Sequence, residues 1–439
     1  MNDEYLDVEK VDIPEKENVE YEPKYVSRDI QSVPDYLRVI TDILSDRYFI
    51  SKWNVKITNF ENLFTNPDGI PLNDLLRHGI FFRGESMHHD YQLPGLFRSI
   101  ELIEHEDNLV NDNITNSASE LENKTMFDKL TLMQHYGSST RILDITSNAL
   151  IALYFAVSGD LNEDGFVYLI SGYKGENFKD NIEIKTPDME EVIVKSVLSR
   201  LSFKSKKLLS YLFSNSKDEY KDIKIKFEEL KKQPLTFDYN ILEIEKTINH
   251  LYLLVEEELN VSNVTIPISY LFGYDIVQPY QIDNRVARQS SLFMIFGLQD
   301  FLSAKKELIR VLNEDTKLKK LKEKEKEAEE NQSVEIGGEA DQIRYQIKQL
   351  EKQLFKETYE RIIQGNISHQ IYNLGIMYSK GPSANVARVK IKSSYKKQIL
   401  DELNMLGING GTVYPDMTNK IKYIKQKYNY VEFSSDDLN

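Results

Sequence analysis

The stretch Ala149 to Val157, ALIALYFAV, is the longest unbroken apolar run in the chain. As a helix it is apolar almost all round, because Leu150, Ile151, Leu153, Tyr154, Phe155 and Val157 cover most of its surface, so it belongs at the centre of a core. It is far too short for a membrane span, which needs roughly 20 residues. Thr146 and Ser147 just before it are good N-cap residues. With 439 residues, 41% hydrophobic and 28% charged, the chain is large enough to surround such a helix. At roughly 100–200 residues per domain it forms two or three domains, or one large body carrying insertions.

The chain has no cysteine, so disulfide frameworks, thiolate metal sites and thiol enzymes are excluded. The N-terminus opens MNDEYLDVEK, with acids where a signal peptide carries positive charge and an apolar segment. A cytoplasmic protein without membrane insertion is the expectation. The net charge is −15, from 70 acidic and 55 basic side chains. Such a surface repels phosphate backbones, which argues against general nucleic-acid binding.

Residues 1–34 are acidic, contain three prolines and lack apolar periodicity, which predicts a disordered arm. Leu37, Ile40 and Leu44 start a helical stripe, and Leu72, Leu75 and Leu76 suggest another helix before a strand at 79–83. Residues 104–121 are polar and Asn-rich and read as an exposed loop. A helix follows at about 124–136, closed by Gly137 as a left-handed cap, then an extended stretch, Thr140 to Asp144. Further strands are expected at 165–171, 270–279, 291–297 and 386–391, with helices within 195–232, 239–259 and 400–406 and at 417–427. The lysine- and glutamate-rich run at 317–330 and the stripe Ile343, Ile347, Leu350, Leu354 predict an antiparallel helical hairpin at 301–362 hinged at Gly337 and Gly338. These elements imply an α+β class, with a mixed sheet surrounded by helices. The division is an arm at 1–34, a core at 35–300, the inserted hairpin at 301–362, and a C-terminal part of the core at 363–439.

Four motifs occur in order. They are Phe81-Phe82-Arg83-Gly84-Glu85 followed by Leu93-Pro94-Gly95-Leu96-Phe97-Arg98; Gln134-His135-Tyr136-Gly137 with Thr140-Arg141-Ile142-Leu143-Asp144-Ile145-Thr146; Asn284-Arg285-Val286-Ala287-Arg288-Gln289; and Leu406-Gly407-Ile408 with Tyr414-Pro415-Asp416. In this order they resemble the FRG-domain family, named for Phe82-Arg83-Gly84, whose His-Tyr-Gly, Thr-Arg, Leu-Asp, Thr series is similar to residues 135–146. The sequence departs from the family pattern at Ser138 and Ser139, where Leu-Pro is usual, at Ile145, where Trp is usual, and at Ser291, where Gly is usual. Loss of the Trp removes an aromatic surface. The resemblance names no reaction.

From the residues themselves, Arg83 at a strand end can clamp a phosphate or carboxylate, with Gly84 letting a ligand approach the backbone, or it can pair internally with Asp144. Alternation puts Thr140, Ile142 and Asp144 on one side of their strand and Arg141, Leu143 and Ile145 on the other. Asp144 and Thr146 either meet a ligand or act as caps and turn residues. His135 closes a helix, where an imidazolium suits the dipole. Arg285 and Gln289 precede a strand, and Gln289 either binds an amide or a ribose hydroxyl or satisfies buried backbone groups. His88 and His89 are adjacent and point apart, so no metal site is expected. P-loop, Rossmann, zincin and α/β-hydrolase signatures are missing.

The order of a strand ending in Arg-Gly, a Thr-bearing strand before a buried helix and a late polar residue is similar to the NAD-binding elements of ADP-ribosyltransferases of the R-S-E class. That similarity implies NAD as substrate, Arg83 on the pyrophosphate or adjoining ribose, Thr140 and Thr146 on the nicotinamide ribose, and Gln289 near the third position. Glu85 and Asp144 are then the carboxylates facing an oxocarbenium-like centre. Gln289 cannot carry the negative charge of the late Glu, so NAD binding without transfer stays open. The sites to test are therefore Glu85, Asp144 and Gln289 as catalytic residues, and Arg83, Gly84, His135, Thr140, Arg141, Thr146 and Arg285 as ligand-binding residues. The alternative is a non-enzymatic sensing or interaction protein in bacterial defence, whose pocket takes an anionic or nucleotide ligand and whose hairpin docks a protein partner. A nuclease or toxin-like effector lacks an acidic pair with metal spacing. Arg83, His135, Thr140, Asp144 and Gln289 are expected to line one concave pocket.

Overall fold

The computed structural model describes residues 30–45, 80–89, 92–171, 173–174, 180–181, 183–232, 240–280, 288–330, 339–374, 377–378, 385–386, 388–414, 420–421 and 423–425. The helix expected around Leu72, nearly all of the acidic arm, Arg285, the Gly337-Gly338 hinge and most of the helix expected at 417–427 lie outside them. Within the expected arm, Ile30 and Val33 are buried, so the core begins earlier than its polar composition suggests.

The elements used below are α1 (Val33–Ser45), β1 (Ile80–Glu85), α2 (Glu106–Asn116), α3 (Met126–His135), β2 (Ile142–Thr146), α4 (Ala149–Ser158), β3 (Gly165–Ser171), β4 (Ile184–Lys185), α5 (Glu190–Val197), α6 (Phe203–Phe213), α7 (Ile223–Leu230) and α8 (Ile241–Leu259). They continue with β5 (Tyr274–Val277), β6 (Ser291–Phe296), α9 (Phe301–Glu314), α10 (Thr316–Glu330), α11 (Glu339–Leu374), β7 (Arg388–Ile391) and α12 (Ser393–Met405). The class is α+β, and the strands form one mixed sheet of seven in the order β7-β3-β1-β2-β6-β5-β4. Every neighbouring pair is antiparallel except β4 and β5. The expected loop at 104–121 is instead helical across most of its length. Its few apolar residues are spaced to bury Val110 and Leu121, and that inward stripe outweighs the Asn-rich composition.

Register fixes the two faces of the sheet. Phe82 pairs with Thr146, and Asp144 with Phe293, so Phe82, Gly84, Ile142, Asp144 and Thr146 share one face. Two separate clusters cover that face. One joins α1, α4 and α12 to Phe82, Val167, Leu169 and Val389. The other joins α3 and α5–α8 to Ile142, Phe293 and Ile295. β2 runs under the seam between them. The opposite face, with Phe81, Leu143, Ile145 and Met294, is closed by Phe301 of α9 and by Tyr359, Ile363 and Ile367 of α11.

The apolar run forms α4 as expected, with Ile151 to Tyr154, Ala156 and Val157 buried. Its N-cap is Asn148, whose Oδ1 accepts from the backbone N–H of Leu150 at 2.9 Å, rather than Thr146 or Ser147. Gly137 does close α3 with φ +93°.

In α9–α11, partners fall in reverse order along the two arms: Glu307 with Arg361, Lys322 with Glu351, Glu325 with Arg344. The arms are therefore antiparallel, with Leu318, Ile343 and Ile347 in the seam. The return helix continues past 362 to Leu374, and its root anchors the segment after β1: Glu360 accepts from the Ile100 N–H at 2.9 Å, and Gln364 donates to the Arg98 carbonyl at 3.1 Å. Among the described residues no helix is long and apolar enough to cross a membrane.

Candidate functional site

β1 and β2 share one register pair, Phe82 with Thr146. Beyond it Arg83 donates from Nη1 to the Asp144 carbonyl at 2.7 Å. Its Nε faces Gln92 Oε1 at 3.0 Å and Glu85 Oε1 at 3.2 Å. Gln92 in turn donates to Glu85 Oε2 at 2.7 Å, and His89 Nδ1 lies 3.3 Å from the same oxygen. The Arg83 side chain is 14% exposed and that of Glu85 6%. The Arg83 guanidinium is thus held inside the protein. Of the two roles open to it in sequence, the internal one is realised, through the backbone of Asp144 and the carboxylate of Glu85.

The Asp144 carboxylate is exposed on the other side of this junction, between neighbours on β2 that are buried. Gln134, at the end of α3, donates to Asp144 Oδ2 at 2.6 Å and accepts from the Thr140 hydroxyl, also at 2.6 Å. A continuous polar chain therefore runs His89–Glu85–Gln92–Arg83–Asp144–Gln134–Thr140. Among the described residues Gln134 is the hydrogen-bond donor to the Asp144 carboxylate.

The other expected residues lie elsewhere. Gly84 does not admit a ligand at its α-carbon on this face: a Cβ there would overlap the carbonyl oxygen of Ala152, because α4 rests directly on the strand. Arg141 faces the core at 2% exposure, with Nε on Glu106 Oε1 at 2.7 Å, Nη2 on Oε2 at 2.5 Å and Nη1 on the Phe296 carbonyl at 2.9 Å. Lys206 Nζ reaches Glu106 Oε2 as well, at 2.5 Å. Burial pushes the Glu106 carboxyl up, but the adjacent Arg141 and Lys206 charges prevail and hold it below the usual carboxylate range. Arg141 is a core cation and is not at the polar chain.

Thr146 and Gln289 make a second group, around the C-terminal end of β2. Thr146 donates to the Gln289 carbonyl at 2.8 Å and accepts from the Asn148 N–H at 3.0 Å. Gln289 donates from its side chain to the Val413 carbonyl at 3.0 Å. These bonds tie the strand ends to the C-terminal segment. His135 is half-buried at the end of α3 beside Gln134. So Asp144 and Thr140 converge on Gln134 with His135 beside it, Arg83 reaches this group only through the backbone carbonyl of Asp144, and Gln289 and Thr146 form their own cluster.

Gln92, Gln134 and His89 are the partners that sequence reasoning passed over. Gln134 stood inside the second motif. The spacing of Glu85 and His89, four residues apart, was the available signal for the third. Lys396 was not visible at all: it is fully buried, and its Nζ donates to the carbonyls of Ser86 and Asp160 at 2.6 and 2.5 Å. It thereby pins the turn that carries His89.

A search of the curated proteins and one of the solved structures return no match to this chain. Residues 78–165 match the family model described as the FRG domain. That span contains β1, α3, β2 and α4, and with them every member of the polar chain. The chain carries an FRG domain at residues 78–165.

Proposed function

We propose that the β1–β2 junction binds a small nucleotide-like ligand through Asp144 and Gln134. The observation that carries this reading is the exposed Asp144 carboxylate, fixed by Gln134 in an otherwise buried strand. A carboxylate beside an amide accepts the two hydroxyls of a ribose or a cationic nitrogen. In this reading Arg83 sets the position of Asp144 through its carbonyl and adds positive potential nearby. Support for NAD as the ligand comes from the similarity of motif order to ADP-ribosyltransferases, and transfer or hydrolysis of its ADP-ribose is the catalytic form of the proposal. Asp144 would then stabilise positive charge developing on the ribose. Gln289, engaged with Val413, has no place in that step.

Calorimetric titration of NAD into wild-type and Asp144→Asn protein tests the reading. Loss of a charged hydrogen-bond acceptor is worth about 1.5–3 kcal/mol, or roughly a 10- to 150-fold weaker Kd. Equal affinity in both proteins, or no binding to either, contradicts it. The interaction-protein alternative has its own observation, a depression of about 300 Å³ on α10 lined by Thr316, Lys317, Lys320, Leu321 and Lys324. This basic face on an acidic chain suits an acidic protein surface.

A further inference from the structure

We infer that Thr140 is the positioning residue of the ligand site proposed above: its hydroxyl fixes the side-chain amide of Gln134 and, through that amide, the carboxylate of Asp144. The Thr140 hydroxyl donates to Gln134 Oε1 at 2.6 Å, and Gln134 Nε2 donates to Asp144 Oδ2 at 2.6 Å. An amide has one donor end and one acceptor end, whereas an ionised carboxylate only accepts. With Oε1 on Thr140 and Nε2 on Asp144 both ends are matched; turned over, Oε1 would meet a carboxylate oxygen and the two would repel. Thr140 is 2% exposed, Gln134 is half-buried and Asp144 is exposed. The relay therefore starts at a group fixed inside the protein and ends at the surface, and Thr140 acts on a ligand through Gln134 rather than by touching it. All of it lies on one face of the sheet: α3 packs in the cluster with Ile142 and Phe293, and Phe293 is the cross-strand partner of Asp144.

The second half of the first motif, Leu93 to Arg98, is what holds Thr140. Leu96 donates its backbone N–H to the Thr140 carbonyl at 3.1 Å. Gly95 lies close against Ser139, where an added Cβ would stand 3.3 Å from the Ser139 Cα. Leu96 and Phe97 are buried, and α11 anchors the residues that follow, with Gln364 donating to the Phe97 and Arg98 carbonyls at 3.3 and 3.1 Å. The turn between Gln134 and Thr140 is closed too, since the Gly137 N–H donates to the Gln134 carbonyl and the Ser138 N–H to the Met133 carbonyl, both at 2.9 Å. Thr140 is thus fixed from both sides before its hydroxyl meets the amide.

The consequence for binding depends on the ligand reading. A braced Asp144 presents its carboxylate in one orientation, which suits a ligand bringing hydroxyl or cationic N–H donors. Thr140→Val keeps the β-branched shape and removes the donor. Gln134 Oε1 then turns toward water to recover a hydrogen bond, and Asp144 loses its brace.

Two readouts test the assignment. Side-chain amide spectra of ¹⁵N-glutamine-labelled protein, with the Gln134 signals identified by their loss in Gln134→Met, report the relay without any ligand. In the wild type the two Gln134 amide protons are expected well separated and slow to exchange; Thr140→Val should move them to the positions of a free glutamine, and Thr140→Ser, which restores a hydroxyl, should return them. Wild-type signals at the free-glutamine positions overturn the assignment without need of a variant, and so do signals that Thr140→Val leaves unmoved. Calorimetry with NAD as the probe reads the effect on binding: a roughly 2- to 10-fold weaker Kd in Thr140→Val, the net worth of one hydrogen bond, and recovery in Thr140→Ser. Equal NAD affinity in the wild type and Thr140→Val overturns the positioning role. Failure of the wild type to bind NAD, with the Gln134 signals as expected, defeats the ligand reading and leaves the relay from Thr140 to Asp144 supported.

Discussion

Arg141 shows how far a residue's role depends on partners distant in sequence. It lies between Thr140, whose hydroxyl bonds Gln134, and Ile142, which faces the core, yet its own partner is Glu106 from α2, shared with Lys206 from α6. Removing one member leaves buried charge without its counterion, which costs about 3–5 kcal/mol. Glu106→Gln is therefore expected to lose about that much stability in urea titration at neutral pH. The pH dependence has a definite sign. The Glu106 carboxyl titrates lower in the folded protein than in the unfolded chain, so its contribution is present above the ordinary carboxylate range and is lost as pH falls through and below it. The Glu106→Gln variant should show a flatter acid limb in a plot of stability against pH. Asp144 behaves differently: exposed and bonded mainly to Gln134, it should accept Asn with a stability change within about 1 kcal/mol, and a thermal melt checks that its effect on ligand binding is not an unfolding effect.

The central element is α4, and its close approach to the sheet explains the glycine beside Arg83. Ala152 lies over Gly84 of β1, and Ala156, one turn further on, lies over Gly165 of β3; a Cβ on either glycine would overlap the helix carbonyl above it. Two small residues one turn apart on the helix meet two glycines on neighbouring strands, and the backbone surfaces touch. Gly84→Ala must lift α4 or distort β1, at the upper end of the roughly 1–3 kcal/mol typical of overpacking. Chemical denaturation should show that loss, whereas a stable, wild-type-like Gly84→Ala protein would contradict this packing. The helical pair α10–α11 is different, because its far end rests on a small seam of Leu318, Ile343 and Ile347 with Leu321, Leu350 and Leu354 beside it. Ile347→Asp should speed amide exchange in residues 316–330 and 339–354 while β2 and β6 stay protected.

Across the whole molecule, the parts legible in sequence were those whose signal is local. α4 was readable because a run apolar on every side has only one place to go, and the cap at Gly137 because its chemistry is confined to one residue. The alternation of β2 was read correctly, but it could not say that Arg141 would meet a carboxylate from α2 or that Asp144 would emerge at a seam between two helical clusters. Those outcomes depend on pairing across the sheet. The same limit hid Lys396, which reaches from α12 to the turn after β1, and the bond of Gln289 to the Val413 carbonyl. What the fold adds is one junction at which Arg83, Glu85, His89, Gln134 and Asp144 are bonded in series. Its role as a single ligand site is tested most directly by hydrogen exchange of the 439-residue protein with and without saturating NAD. Protection is expected at residues 83–92 and 134–147, with residues 288–291 and 409–414 unchanged; protection confined to that second group, or none anywhere, would contradict the account.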